Sequence, residues 1–345
     1  MQNQRDVVLC SGTSPEKDSW RVHRIYVFFS FPCLLYYRSE SGKSQKRYGY
    51  LHGHGQMHML CAMHNNDFDL PQEPYIAAQD ENWLVAFKPR GMHSSASGKD
   101  AQNCLSTWLA GAFPDFCRVK GYSDTDYGLL HRLDRDTAGL LLFAKTQAFF
   151  DVYAGTENSK ITKSYYFMSE PTLTGLLGSL PLLNHPAECS PEEWESLLAE
   201  GNLHAIIRFF PKSIASLFRA YGEGRARVSC GEPDLAAVSK KQWTPETYTT
   251  SIDTVRLSDS ALFVHVHLNR GFRHQIRAHL AWFGLPLCGD SLYNPLCGKQ
   301  SESGSLSLTA YALDFSDLNG SARHVELPED RKSTRLNSSH RIRSR

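Results

Sequence analysis

Short apolar runs of strand length recur along this chain and are separated by polar turns. Residues 139–144 form one uninterrupted apolar run, which is typical of a central strand buried on both faces. Residues 261–268 alternate instead, which predicts a strand with two different faces. Helical spacing is confined to a few segments, among them residues 105–113, 147–157 and 273–283. The pattern therefore predicts an α+β fold with a mixed, mostly antiparallel central sheet and flanking helices and loops.

Composition divides the chain into three parts. Residues 1–68 mix a Ser/Lys/Arg/Tyr-rich stretch with a His/Gly-rich one and hold no helical or strand period. They are predicted to be a poorly defined N-terminal extension, disordered or not native. Residues 69–330 carry the periodic pattern and are predicted to form one domain. Residues 331–345 are rich in Ser and Arg without apolar periodicity, which predicts a disordered tail whose abrupt change of composition suggests non-native sequence.

Residues 171–242 are the least regular part of the main domain. Within them, Ser190 and Pro191 mark the start of an acidic helix that runs to Glu200, with Ser190 as its cap. Elsewhere, strands are predicted at residues 75–77, 83–87, 161–168 and 247–252, within residues 305–315, and at the start of residues 127–134. The strand at the start of residues 127–134 runs into a polar turn.

Charge and cysteine content limit the classes of protein that fit. The formal net charge is +1, which does not decide about a nucleic acid partner, because a neutral total can hide a basic groove. The nine cysteines include no Cys-x-x-Cys pair, which favours reduced thiols over a disulfide framework. The apolar run at residues 25–37 is broken by Ser30 and Pro32 and is too short to span a bilayer. We therefore expect a cytoplasmic protein without a membrane segment, and a monomer by default.

A polar turn between two apolar segments carries the clearest chemical signal. It places Asp134 between Arg132 and Arg135, with His131 close by. Such a carboxylate stays ionised, because nearby cations favour the charged form, and this suits nucleophilic attack better than general acid catalysis. A purely structural salt network is the alternative interpretation of the same residues.

This turn resembles the central motif of the RluA-type RNA pseudouridine synthases, His-Arg-Leu-Asp-x-x-Thr-Ser-Gly-Leu. Residues 131–140 differ from it by Ala138 in place of Ser. Further segments resemble family motifs in the same order: residues 83–91 resemble Asn-Lys-Pro-x-Gly with Phe87 for Asn, residues 161–166 resemble Lys-x-Tyr, and residues 271–279 resemble Gly-Arg-x-His-Gln-Ile-Arg-x-His. The resemblance extends over residues 75–315. It implies the pseudouridine synthase catalytic fold and an isomerase that acts on uridines of ribosomal or transfer RNA.

The resemblance also implies the site. Asp134 corresponds to the catalytic residue, Tyr165 to the tyrosine that sits against the target base, and Arg277 to the arginine that pairs with the catalytic Asp, which we expect to be a bidentate pair. Whether Asp134 attacks the ribose or forms a glycal stays open. The reaction calls for no cofactor and no metal. The residues expected to bind RNA are Lys88, Arg90, His131, Arg132, Arg135, Arg273, His274 and Gln275.

Some features depart from the family pattern. Phe272 stands where Arg is usual, residues 171–242 are longer than the family needs, and residues 1–68 show no clear accessory RNA-binding domain. We treat residues 171–242 as an insertion that alters the choice of RNA. The departure at Phe272 also sustains an alternative function, that of a catalytically inactive RNA-binding protein on the same fold.

A zinc site near the N-terminus is a further alternative. The candidate ligands are His52, His54, His58, Cys61 and His64. These residue types bind zinc, but their spacing matches no standard zinc finger. The collinear motifs therefore favour the synthase over a metal-dependent protein.

Overall fold

The computed structural model describes residues 33–38, 44–52, 56–59, 70–96, 103–114, 118–154, 160–173, 189–234, 242–258, 261–297 and 305–328. The chain divides into two compact units, residues 1–62 and 63–345. In the first unit, β1 (Cys33–Arg38), β2 (Ser44–His52) and β3 (Gln56–Met59) form an antiparallel sheet in that order. The sequence did not predict these strands, because the polar first half of β2 lacks the apolar alternation by which a strand is recognised. The predicted tail at residues 331–345 lies outside the described residues.

One ten-stranded sheet forms the centre of the second unit. Its strands are β4 (Tyr75–Gln79), β5 (Trp83–Lys88), β6 (Ala138–Ala144), β7 (Thr162–Ser169), β8 (Ser213–Tyr221), β9 (Arg227–Gly231), β10 (Tyr248–Ser258), β11 (Ala261–Leu268), β12 (Thr309–Ser316) and β13 (Ala322–Glu326). They follow the order β4-β5-β6-β12-β7-β11-β10-β8-β9, and β13 pairs with β12. Among these pairs β6 and β12 run parallel and the others antiparallel, so the predicted mixed, mostly antiparallel sheet is confirmed.

Helices flank this sheet. They are α1 (Leu105–Ala112), α2 (Gln147–Tyr153), α3 (Pro191–Glu200), α4 (Leu203–Arg208) and α5 (Gln275–Trp282). Helix α3 begins as predicted, because the Ser190 side chain accepts a hydrogen bond from the Glu193 amide and the Glu193 carboxylate accepts one from the Ser190 amide. None of the helices in the described ranges is long and apolar enough to cross a membrane.

Strand β6 is buried on both faces, as its apolar sequence predicts. Leu141 and Phe143 pack into the apolar cluster on one side of the sheet, and Leu140 and Leu142 pack into the cluster on the other side. At its start, a side chain on Gly139 would collide with the carbonyl oxygen of Ala310, so the close parallel contact with β12 requires glycine.

The strand predicted at the start of residues 127–134 is wrong. Tyr127 and Gly128 both have positive φ, 45° and 81°, so the chain turns there. Strand β12 pairs with β6 only at its first two residues, which leaves the rest of that edge of β6 open. Residues 128–131 fill it with hydrogen bonds instead of a full strand, and the loop that follows is thereby fixed to the central sheet.

The described part of residues 171–242 is built into the second unit. Strands β8 and β9 extend the sheet beyond β10, and the buried Trp194 of α3 donates a hydrogen bond from its indole Nε1 to the carbonyl oxygen of Phe283 over 3.1 Å. A segment that supplies strands and core side chains contributes to the stability of the unit. Its predicted influence on the choice of RNA stays a prediction.

Candidate active site

A cleft of about 840 Å³ lies beside the loop that carries Asp134 and precedes β6. Residues 129–135 line one part of it, β7 contributes Lys163 and Tyr165, and most residues of the segment 268–277, which ends in the first turn of α5, line another part. Asp134, Tyr165 and Arg277, which the motifs predict as catalytic, come from three separate segments and all line this cleft.

The loop that carries Asp134 is held to β6 by two hydrogen bonds with Leu142. The Leu130 amide donates to the carbonyl oxygen of Leu142 over 3.1 Å, and the Leu142 amide donates to Nε2 of His131 over 3.2 Å. Burial, together with the charge of Lys163, lowers the pKa of His131 well below its ordinary value, so the ring is neutral and can accept that bond. His131 thus holds the loop against β6, although it was predicted to bind RNA.

Lys88 was also predicted to bind RNA, and its position does not fit this role. The side chain is fully buried, and Nζ donates to the carbonyl oxygens of Pro89, Met92 and Arg135 over 2.8 to 3.0 Å. Burial lowers its pKa to about 7. An ammonium group enclosed by carbonyl oxygens cannot reach a phosphate, and its effect is to tie the turn after β5 to the loop of Asp134.

The side chain of Asp134 is held at one oxygen. Arg277 donates from Nη1 to Oδ2 over 3.1 Å, while the side chain of Asp134, which lines the cleft, stays 23% exposed. The expected bidentate pair is made with a different residue, because Nε and Nη2 of Arg277 both donate to Asp290 over 2.8 Å. The guanidinium group therefore bridges two carboxylates, and Asp134 receives one hydrogen bond from it.

Asp290, to which the motifs assigned no role, is the bidentate partner of Arg277. It is fully buried and accepts further hydrogen bonds from the amides of Leu292 and Tyr293. Burial alone would lower the pKa of Arg277, but the hydrogen bonds and charge of Asp290, with a smaller contribution from Asp134, raise it above its ordinary value. Arg277 is therefore a permanent cation whose orientation is set by Asp290.

Tyr165 and Tyr166 are neighbours in β7 and face opposite sides of the sheet. Tyr165 lines the cleft and is buried, whereas Tyr166 stacks on Tyr311 with a centroid separation of 5.6 Å. Burial, and then the negative charge of Asp134, raise the pKa of Tyr165. Of the two tyrosines, Tyr165 is the one that a substrate in the cleft can contact, and its hydroxyl is protonated.

The remaining residues predicted to bind RNA differ in their exposure and contacts. Arg132, Arg135 and Arg273 line the cleft and are exposed. Gln275 is buried, where its side chain donates to the carbonyl oxygen of Thr249 over 2.9 Å. Arg90 does not line the cleft and donates to the hydroxyl of Ser305 over 3.2 Å. The remaining candidate, His274, faces Asp134 with its Nε2 at 3.8 Å from Oδ2.

Phe272, which stands where the family motif has Arg, packs against residues 171–242. Its ring stacks on Phe218 of β8 with a centroid separation of 4.9 Å and an interplanar angle of 5°. It also contacts Tyr248, with centroids 5.1 Å apart. The substitution therefore exchanges a charge for an aromatic contact with the strand that this segment adds to the sheet.

Within the described ranges, no group of three or more His, Cys, Asp or Glu side chains is placed to hold a metal ion. Of the candidate zinc ligands, His52 ends β2 and His58 lies in β3, while His54, Cys61 and His64 lie outside the described residues.

The profile of the RNA pseudouridylate synthase family matches residues 82–282. The chain belongs to this family. Ribosomal large subunit pseudouridine synthase D of Zymomonas mobilis is 28% identical over 235 residues, which are 67% of this chain and 58% of that protein. The dual-specificity RNA pseudouridine synthase RluA of Vibrio cholerae is 24% identical over 232 residues, 66% of this chain and 73% of that protein. The resemblance to RluA-type synthases is thereby confirmed.

A solved structure of human RNA pseudouridylate synthase domain containing 1 has a TM-score of 0.47 and 18% identity to this chain, and the match covers 75% of this chain and 84% of that one. The family match contains Asp134, Tyr165 and Arg277 and ends before Asp290.

Proposed function

We propose that this protein is an RNA pseudouridine synthase, an isomerase that converts specific uridines of structured ribosomal or transfer RNA to pseudouridine. The observation that carries the proposal is the cleft in which Asp134, Tyr165 and Arg277 meet, within the segment that matches the family. The reaction breaks the bond between ribose C1′ and uracil N1, and joins C1′ to uracil C5. Since it involves no net oxidation or reduction, we expect side chains alone to perform it.

Asp134 is the catalytic carboxylate in this proposal. A carboxylate next to ribose C1′ stabilises the positive charge that develops there when the base departs, as in glycoside cleavage. Asp134 either attacks C1′ or removes the proton from C2′, and both steps need one oxygen that is free to reach the sugar. Arg277 occupies Oδ2, and the exposed part of the carboxylate faces the cleft.

Tyr165 is proposed to contact the uracil after it has detached from the ribose. In the free protein its hydroxyl is protonated, because burial and the charge of Asp134 raise its pKa. Tyr165 therefore first donates a hydrogen bond to the base. Once Asp134 has lost its charge to the sugar, one cause of the raised pKa is removed, which favours transfer of the Tyr165 proton to N1 of the detached uracil, where the electron pair of the broken bond resides. The phenolate of Tyr165 then takes the proton that leaves C5 when C5 bonds to C1′.

The RNA is proposed to enter over the exposed arginines at the cleft. A uridine has to leave its base stack before its C1′ can reach a carboxylate that is largely buried, so base flipping is part of the proposal. Arg132, Arg135 and Arg273 line the opening and would contact the phosphates on either side of the flipped nucleotide.

Alanine substitutions of Arg132 and Arg273 are expected to weaken RNA binding and to leave stability unchanged. Each phosphate contact that is lost should reduce the slope of log K against log salt concentration by about 0.7 to 0.9. Binding measured by fluorescence anisotropy at several salt concentrations tests this. Arg256→Ala is the matched control, because Arg256 is exposed on β10 and does not line the cleft. Equal slopes for the control and both variants would contradict the proposed path of the RNA.

Release of tritium from RNA labelled at uridine C5 tests the proposed function directly, because the C5 hydrogen leaves only when C5 becomes the glycosidic carbon. The purified protein is incubated separately with unmodified ribosomal and transfer RNA. Release from one of them identifies the substrate class. Binding without release from either RNA would favour the inactive RNA-binding alternative.

A further inference from the structure

Two residues of one helix end approach the same oxygen of Asp134. Arg277 donates to Oδ2 over 3.1 Å, and Nε2 of His274 lies 3.8 Å from that oxygen. His274 is the N-cap residue of α5, and Arg277 lies in the first turn of that helix. His274 has φ 57° and ψ 18°, a left-handed conformation that His adopts more readily than most residues.

Tyr293 determines which nitrogen of His274 carries the proton. Its hydroxyl oxygen accepts a hydrogen bond from the Val228 amide over 2.9 Å and lies 2.9 Å from Nδ1 of His274. Burial raises the pKa of Tyr293, so the hydroxyl keeps its proton. Among the described residues, Nδ1 is the acceptor in reach of that proton. Tyr293 therefore donates to Nδ1, and the ring proton of His274 resides on Nε2, which faces Asp134.

Burial keeps the ring of His274 neutral. Burial is the largest cause that lowers its pKa, and Arg277 and Arg273 lower it further, while Asp134 and Asp290 act in the opposite direction. The result lies below the ordinary value for histidine, so at physiological pH the ring exists as one of two neutral tautomers. Because the ring is neutral, its hydrogen bond with Tyr293 determines which tautomer it adopts.

We propose that His274 is a positioning residue which, as the Nε2–H tautomer, directs its proton to Oδ2 of Asp134 and leaves Oδ1 as the reacting oxygen. The separation of 3.8 Å exceeds a hydrogen bond, yet the N–H dipole still favours negative charge at Oδ2. Residues 290–293 support both donors, because Asp290 orients Arg277 and Tyr293 orients His274. The inference rests on the proposed function, since it assigns Asp134 to catalysis.

Two substitutions of His274 distinguish the effect of losing its N–H donor from an effect on the fold. Asn suits the left-handed backbone well but places its amide at the position of Nδ1, whereas Gln places an N–H donor at the position of Nε2. We expect His274→Asn to lower kcat about 10- to 100-fold with KM for RNA unchanged, and His274→Gln to recover much of that loss. Equal kcat for the two variants, with both folded, would overturn the proposal.

Tyr293→Phe removes the hydroxyl that selects the tautomer. Spectra that correlate the ring nitrogens and protons of ¹⁵N-labelled histidine report the tautomer of His274, which His274→Asn identifies by the loss of its signals. We expect the Nε2–H tautomer in the wild type, and in Tyr293→Phe a mixture of tautomers with a kcat lowered about tenfold. Tyr311→Phe is the matched control, because Tyr311 bonds His265 over 3.3 Å and neither residue lines the cleft.

The spectra test the inference about His274, whereas tritium release tests the proposed function, so one can be contradicted without the other. A wild type that releases tritium but carries the His274 proton on Nδ1 overturns this inference and leaves the proposed function in place. A Tyr293→Phe variant with unchanged tautomer and unchanged kcat also overturns it. A wild type that is inactive on both RNAs, yet shows the Nε2–H tautomer, contradicts the proposed function while it supports the placement of the proton.

Discussion

Asp134→Asn is expected to stop tritium release, with a loss in kcat of at least about 10³-fold. An amide has nearly the shape of the carboxylate but carries no charge, so it can neither attack ribose C1′ nor stabilise positive charge there. The Oδ2 position can still accept the hydrogen bond from Arg277, which keeps the side chain in place. RNA affinity should therefore stay within about twofold of the wild type, because the phosphate contacts are left intact.

Asp136→Asn is the control for that experiment. Asp136 lies in the same loop and undergoes the same chemical change, but it is exposed and does not line the cleft. Its kcat should equal that of the wild type. Should Asp134→Asn release tritium at the wild-type rate, Asp134 would not be the catalytic carboxylate, whatever the activity of the protein.

Pattern and motif suffice to predict the parts of the site that depend on local sequence. The apolar run of β6 predicts its burial on both faces, and the alternation of β7 determines that Tyr165 and Tyr166 face opposite sides. Each of these signals lies within one element, where the period of the side chains is a direct consequence of backbone geometry. The identity of the candidate catalytic residues therefore follows from sequence, once the motifs are recognised.

Contacts between distant segments were not predictable in this way. Lys88 and Arg90 look alike in sequence as basic residues next to a turn, yet Lys88 is buried among three carbonyl oxygens. The loop before Asp134 was predicted as a strand, because its apolar residues match a strand pattern. Instead of forming a strand, it makes a few hydrogen bonds with the part of the β6 edge that β12 leaves unpaired. Such differences depend on how strands are ordered in the sheet, and periodicity carries no information about that order.

The bidentate partner of Arg277 is the clearest example of a contact that the sequence does not predict. The family motif implies a pair with Asp134, and a guanidinium group can bind a carboxylate through two parallel hydrogen bonds. The structure gives that geometry to Asp290, which is thirteen residues further along and fully buried. One guanidinium group can serve both carboxylates because its donors point in several directions. Sequence alone could not decide which carboxylate receives the bidentate contact.

Asp290→Asn is accordingly expected to be the most destabilising of these substitutions. It removes one partner of a buried ion pair and leaves the Arg277 cation without its charge partner, which typically costs about 3–5 kcal/mol in the free energy of unfolding. Because Asp290 fixes the orientation of Arg277, kcat should also fall by about 10²-fold in protein that is still folded. Urea denaturation gives the first quantity, and tritium release well below the melting temperature gives the second.

Asp314→Asn distinguishes this effect from the loss of any aspartate in an ion pair. Asp314 bonds His324 over 2.7 Å, but half of its side chain is exposed, so its substitution should change the free energy of unfolding by less than about 1 kcal/mol and leave kcat unchanged. If Asp290→Asn proves as mild as this control, Arg277 must hold its position without Asp290. In that case the support of Asp134 would come from the packing of Arg277 against the Tyr293 ring, 5.3 Å from its guanidinium carbon.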